Sequence, residues 1–231
     1  ITGSILLNNS NGSLTLGANE QIANTATMTI SNGTFNMAGF NETMGTLDFR
    51  VGGFNQAGGI LNLASNVTAL SMDGHPSCVI SGEVRILNGG EVRFRNAQNG
   101  TAILTNTSIL NLGSSLTPIS FNIDNGTALT DMRISGTITG SGTGLTKIGT
   151  GRLDFDGPAP NTYTGLTTIS AGTLFLNKTA GVNAIPGNFL INGGILTLGT
   201  PDQISDSSAA TLSSGTFNMN FAETIGSFTF N

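Results

Sequence analysis

The chain has 231 residues, 38% of them hydrophobic but only 9% charged, with 33 glycines, no tryptophan and a net charge of −5. That length suits one large domain or two small ones, and the apolar share is enough to bury a core. Eight Lys and Arg against 13 Asp and Glu exclude nucleic-acid binding through phosphates and disfavour anionic membrane surfaces.

From the N-terminus onward, short apolar words alternate with turn residues. The first are "SLTL" (13–16), "TMTI" (27–30), "TFNM" (34–37), "TLDF" (46–49), "ILNL" (60–63) and "VTAL" (67–70). Inside each word the apolar residues sit two apart, as with Met28 and Ile30 or Leu47 and Phe49. That period marks strands with one buried face, while the intervening Thr, Asn and Ser face water. Steps such as "ISNG" (30–33), "AGG" (57–59) and "NGG" (88–90) separate them as turns. No helical stripe of useful length interrupts the pattern.

"DGHPSC" (73–78) follows, holding the only histidine, His75, and the only cysteine, Cys78. One cysteine makes no internal disulfide. The segment lacks the spacing of a zinc motif or a nucleophile elbow. A turn leading to an inward-packed Cys78 is the expected arrangement. Next come acid-x-base pairs: Glu83/Arg85, Glu91/Arg93 and Asp131/Arg133, after Asp48/Arg50 upstream. Both members of a pair share one strand face, so an exposed ion-pair array is expected, each pair contributing little. With Arg95, segment 83–95 forms a basic spot, and Arg85, Arg93 and Arg95 are the candidate ligand-binding residues, for an anionic glycan. "GSGTG" (140–144) precedes no helix and is not a phosphate loop.

Beyond residue 150 the words are "LDF" (153–155), "TTI" (167–169), "TLFL" (173–176), "NFLI" (188–191), "ILTL" (195–198), "ATL" (210–212) and "TFNM" (216–219). Word pairs return about every 21–22 residues. Residues 11–49 recur in 193–230: "LTLGANEQI" returns as "LTLGTPDQI", "GTFNM" as "GTFNM" at an offset of 182, and "FNETMGTLDF" as "FAETIGSFTF" after one deletion. Antiparallel sandwiches and barrels accept many short strands but need no fixed repeat. A parallel β-helix needs one, and 182 residues is about eight coils. The expected fold is an all-β parallel β-helix over residues 1–231, with about ten rungs of roughly 20–23 residues.

Residues 145–176, "LTKIGTGRLDFDGPAPNTYTGLTTISAGTLFL", resemble the passenger-associated repeat of bacterial autotransporters. Leu145, Lys147, Gly149, Gly151, Leu153, Gly157, Asn161, Tyr163, Gly165, Thr168, Ile169, Gly172, Thr173, Leu174 and Leu176 fall on the pattern. "GPAP" (157–160) departs from it, and the match is thin over 71–135. The resemblance implies a right-handed β-helix and a passenger exported through a C-terminal outer-membrane β-barrel. A low cysteine count fits such export. The chain begins with Ile1 and is read as a piece of a longer protein. No apolar run approaches the length of a membrane-spanning helix.

The function expected is a non-catalytic, surface-exposed scaffold or adhesin-like passenger segment of a type V secreted protein. Its expected location is the bacterial cell surface or the extracellular space. Expected partners are a host-cell surface, a glycan or neighbouring cells, with no nucleic acid, no membrane contact by the segment itself, no cofactor and no metal. The alternative is a β-helical polysaccharide lyase or glycosidase. Its candidates are Asp154 and Asp156, which share a strand face, with Arg152 and Lys147 nearby. An ice-binding solenoid needs a flat regular Thr array, which the irregular rungs do not offer.

Overall fold

A computed structural model describes residues 1–231. It contains 22 strands and no helix, and every strand pairing is parallel. Parallel neighbours joined only by short connections require the chain to travel around an axis and return one layer higher.

The register traces this directly. Ile5 lies beside Met28, then Leu47, Leu70, Val92, Phe121, Lys147, Ile169, Ile191, Leu212 and Phe230 in turn. That file crosses the whole solenoid and counts ten turns, about 50 Å of axis at the usual strand spacing. A second file runs through Ile80, Leu104, Ile134, Phe155, Leu176 and Leu198. A third, in a separate five-stranded sheet, runs through Leu61, Val84, Leu110 and Ile138. Period-two alternation puts one apolar side chain inward every second residue, and stacking aligns them into a single core of 46 buried apolar residues.

Two features differ from the sequence expectation. "TMTI" and "TFNM" form one strand, Thr27–Asn36, and later words likewise fuse in Phe189–Leu198 and Ala209–Asn218. Asn-Gly steps, and Ser214-Gly215 in the last of these strands, bend the strand at a corner, with register slips there, as between Asn192 and Ile195, rather than ending it. The coils are also less uniform than 20–23 residues. Ala209 pairs with Ser227, 18 residues on, whereas Ala102 pairs with Met132, 30 residues on. The long coils lie between residues 80 and 145. Their extra residues are largely exposed connections such as Asn96–Thr101 and Asp124–Leu129, which lengthen the path without disturbing the inward files.

The duplicated blocks sit eight turns apart, and the positions they share do the same work. Glu42 accepts hydrogen bonds from the backbone N–H of Gln21 (2.9 Å) and Ile22 (3.2 Å), in the coil below. Glu223 does the same for Gln203 (2.7 Å) and Ile204 (3.3 Å). The residues preceding those glutamines, Glu20 and Asp202, both adopt left-handed backbone (φ 52° and 51°). The recurring "ET" glutamate is therefore a clamp on the corner beneath it. Burial pushes both carboxyls above the usual range, against the lowering effect of the backbone donors.

Candidate functional site

The polar residues of the repeat-like stretch turn inward. Lys147 is fully buried, in file between Phe121 and Ile169. Its ammonium donates to the carbonyls of Ile148 (2.8 Å), Gly149 (2.9 Å) and Ala171 (3.2 Å). Lys178, also fully buried, donates to Asp156 O (2.9 Å) one coil below and to Gly136 O (3.0 Å) two coils below. Desolvation lowers both lysines to about 8. Asn161 bridges coils, accepting from Ile138 N (2.9 Å) and donating to Ala184 O (2.8 Å). Tyr163 is buried with its hydroxyl 2.7 Å from that of Thr167. Gly149 (φ +73°) and Gly157 (φ +88°) turn corners where a Cβ would stand 2.4 Å from Ile123 O and 2.0 Å from Ser135 O.

Asp154 and Asp156 lie on the outer face of strand Arg152–Gly157, the first hydrogen-bonded to a guanidinium and the second at ion-pair distance from one, with its Oδ1 unpartnered. Arg152 reaches Asp154 at 2.6 and 2.9 Å, and Thr130 Oγ1 donates to the same carboxylate at 2.8 Å. Arg133 lies 3.3 Å from Asp156. Arg152 also stacks over Phe175, 3.9 Å from the ring centre. Lys147, from the other side of the wall, does not join them.

His75 Nδ1 contacts Ser77 Oγ at 2.7 Å, in a turn. Cys78 packs inward, its thiol against Arg50 O (2.8 Å) and Phe49 O (3.4 Å), and burial pushes it up to about 12. A thiol held neutral this way is a poor nucleophile and metal ligand. No three of His, Cys, Asp and Glu converge.

The outward charges form more than a row of isolated pairs. Arg50 binds Asp48 (2.8 Å) and Arg85 binds Glu83 (2.5 Å), as acid-x-base spacing suggests. Asp131, however, does not meet Arg133. It is buried below the start of the strand, accepting from the backbone N–H of Gly126 (2.6 Å) and Arg152 (2.7 Å). Arg95 reaches down two coils, to Asp73 (2.9 Å) and then Asp48. The sequence pattern, blind to vertical neighbours, missed Asp73 and Ser71 as members of this cluster.

Arg85, Arg93 and Arg95 do not make one basic spot. Arg85 lies in the five-stranded sheet and borders a groove of about 560 Å³ with Asn111, Thr139 and Thr164. Arg93 and Arg95 lie around the corner in the larger sheet and line a separate hollow of about 310 Å³. The chain turns a corner between strands Glu83–Ile86 and Glu91–Arg95, so neighbours in sequence face different directions.

Among known protein families, a model of the passenger-associated transport repeat matches residues 145–174. The match and the ten-turn solenoid together fit an autotransporter passenger repeat domain. Neither the curated proteins nor the solved structures give a match.

Proposed function

We propose that this chain is a structural segment of an autotransporter passenger, carried to the bacterial cell surface or beyond, where it holds other parts away from the cell and offers its flank for adhesion. One observation supports this reading above others. Within the matched repeat, the distinctive residues are engaged in keeping the coil closed. Leu145, Leu153 and Leu174 fill the core, Lys147 and Asn161 bridge neighbouring turns, and Gly149 and Gly157 make the corners. None is left as a free acid, base or nucleophile. On this reading the complete protein carries a C-terminal outer-membrane β-barrel, and its partners are host or neighbouring cell surfaces.

Polysaccharide cleavage is the competing reading. It needs a carboxylate pair free to donate and accept protons about the glycosidic bond, whereas Asp154 is tied to Arg152 by two hydrogen bonds and Asp156 faces Arg133 at ion-pair distance, 3.3 Å. Asp154→Ala and Asp156→Ala are expected to leave any polysaccharide-degrading activity unchanged. Loss of sugar release in either would favour the enzyme.

The location is tested by Gln98→Cys in the full-length protein in its own bacterium. Gln98 is exposed in a long connection, whereas the native Cys78 is buried and unreactive. A membrane-impermeant maleimide should label intact cells. Labelling only after lysis would defeat the proposal.

A further inference from the structure

The hollow beside Arg93 has the marks of a binding site that the scaffold role does not require. It is lined by Thr27, Thr46, Thr68, Ser71, Arg93 and Arg95, with Asp48 at one wall. A bulge creates it: Thr68 pairs with Glu91 but Leu70 pairs with Val92, so Ala69 is an extra residue and the ladder opens there. Two polar atoms at the hollow lack any hydrogen-bond partner, Ser71 Oγ and Arg93 Nε. Ser71 is 5% exposed. A hydroxyl so deeply buried and unpaired is uncommon in a native fold.

The charges define what would fit there. Asp48 is neutralised by Arg50 and Arg95, and Asp73 by Arg95. Arg93 alone has no side-chain partner at hydrogen-bond distance, lying 3.8 Å from Glu91 and 3.7 Å from Asp124. Its terminal nitrogens offer a pair of donors suited to a planar carboxylate, and Nε and Ser71 Oγ, buried beneath them, become reachable when the guanidinium swings outward. Around this spot Asp48, Asp73, Glu91 and Asp124 slightly outnumber Arg50, Arg93 and Arg95, and the chain carries −5 overall. A dense polyanion is therefore repelled, and one carboxylate at a time is accommodated.

The surroundings suit hydroxyls. Thr27 and Thr46 also line an adjoining hollow of about 480 Å³, with Asn24, Ser65, Asn66 and Asn88. The two hollows adjoin along Thr27 and Thr46 and are lined by polar side chains, without an aromatic ring.

We infer that these adjoining hollows bind a uronic-acid-containing oligosaccharide, the carboxylate of one sugar on Arg93 and Ser71 and neighbouring sugar hydroxyls along Thr27, Thr46, Asn66 and Asn88. The inference does not depend on the secretion route. Without ring stacking the affinity is weak, and it falls with salt.

The test is calorimetric titration of the 231-residue protein with a xylohexaose carrying one glucuronic acid side group, against neutral, unsubstituted xylohexaose. The singly charged sugar should bind saturably and about tenfold more tightly. Arg93→Gln should cost about tenfold, Ser71→Ala a few-fold, and Arg133→Gln, outside both hollows, nothing. Arg93→Lys keeps the charge, lacks Nε, and should also lose affinity. Thermal midpoints confirm that each variant folds. Equal binding of the two sugars, no binding of either up to about 10 mM, or full affinity in folded Arg93→Gln or Arg93→Lys would overturn the inference.

Discussion

Two lysines inside an apolar core make the stability of this solenoid depend on pH in an unusual direction. Lys147 and Lys178 are lowered to about 8 from an ordinary 10.5. Between those values the unfolded chain binds more protons than the folded one, so stability rises with pH. Their contribution is complete above 10.5 and is lost as pH falls through about 8. From pH 7 to pH 9 the linkage relation gives about 1 kcal/mol per lysine, or roughly 2–3 kcal/mol for the pair. Cys78, raised to about 12 from 9.0, opposes this by a few tenths of a kcal/mol over the same window. The net gain of about 2 kcal/mol corresponds to a melting point higher by about 4–8 °C for a chain of this size. Circular dichroism melts of the native protein and of Lys147→Met/Lys178→Met at pH 7, 8 and 9 provide the assay. The native midpoint should climb and that of the double variant should not. A flat or falling native midpoint, or a climb that survives in the double variant, would show that these ammonium groups are not held out of water.

Glu42→Ala should destabilise by about 3 kcal/mol in urea, because two backbone donors lose a charged acceptor. Glu223→Ala, in the half-buried copy near the end of the solenoid, should cost less, about 1–2 kcal/mol. Gly157→Ala forces a Cβ to 2.0 Å from Ser135 O at φ +88°, and a loss of about 3 kcal/mol is expected in the same titration. Phe155→Ala empties a place between Ile134 and Leu176 and should cost about 3–5 kcal/mol, with amide exchange rising first in the coils on either side.

Much of this architecture is legible in the sequence because a solenoid makes local pattern and global packing coincide. Leu47 and Phe49 alternate, and alternation alone places both inside. The 182-residue offset counts coils, and the blocks it relates do lie eight turns apart. What escaped notice depends on vertical neighbours. Glu42 and Glu223 look like surface acids until the coil below is seen to offer them two N–H groups. Asp131 looks like the partner of Arg133 until its strand is seen to begin one residue later. Lys147 did carry a signal, being two residues from Leu145 and so on the inward face, but charge argued for water. The basic cluster failed for another reason. Spacing along the chain carries no information about the corner between Arg85 and Arg93, and the unpaired Ser71 hydroxyl is visible only in three dimensions.

Lys178 and Arg95 each grip two coils at once, the one through backbone oxygens inside the wall, the other through carboxylates outside it. A stack whose layers touched only their immediate neighbours would fray from its ends one layer at a time. These side chains act as rivets through three thicknesses. Mechanical or thermal unravelling that reaches either rivet should halt and then release several layers together, so the rod is expected to yield in blocks.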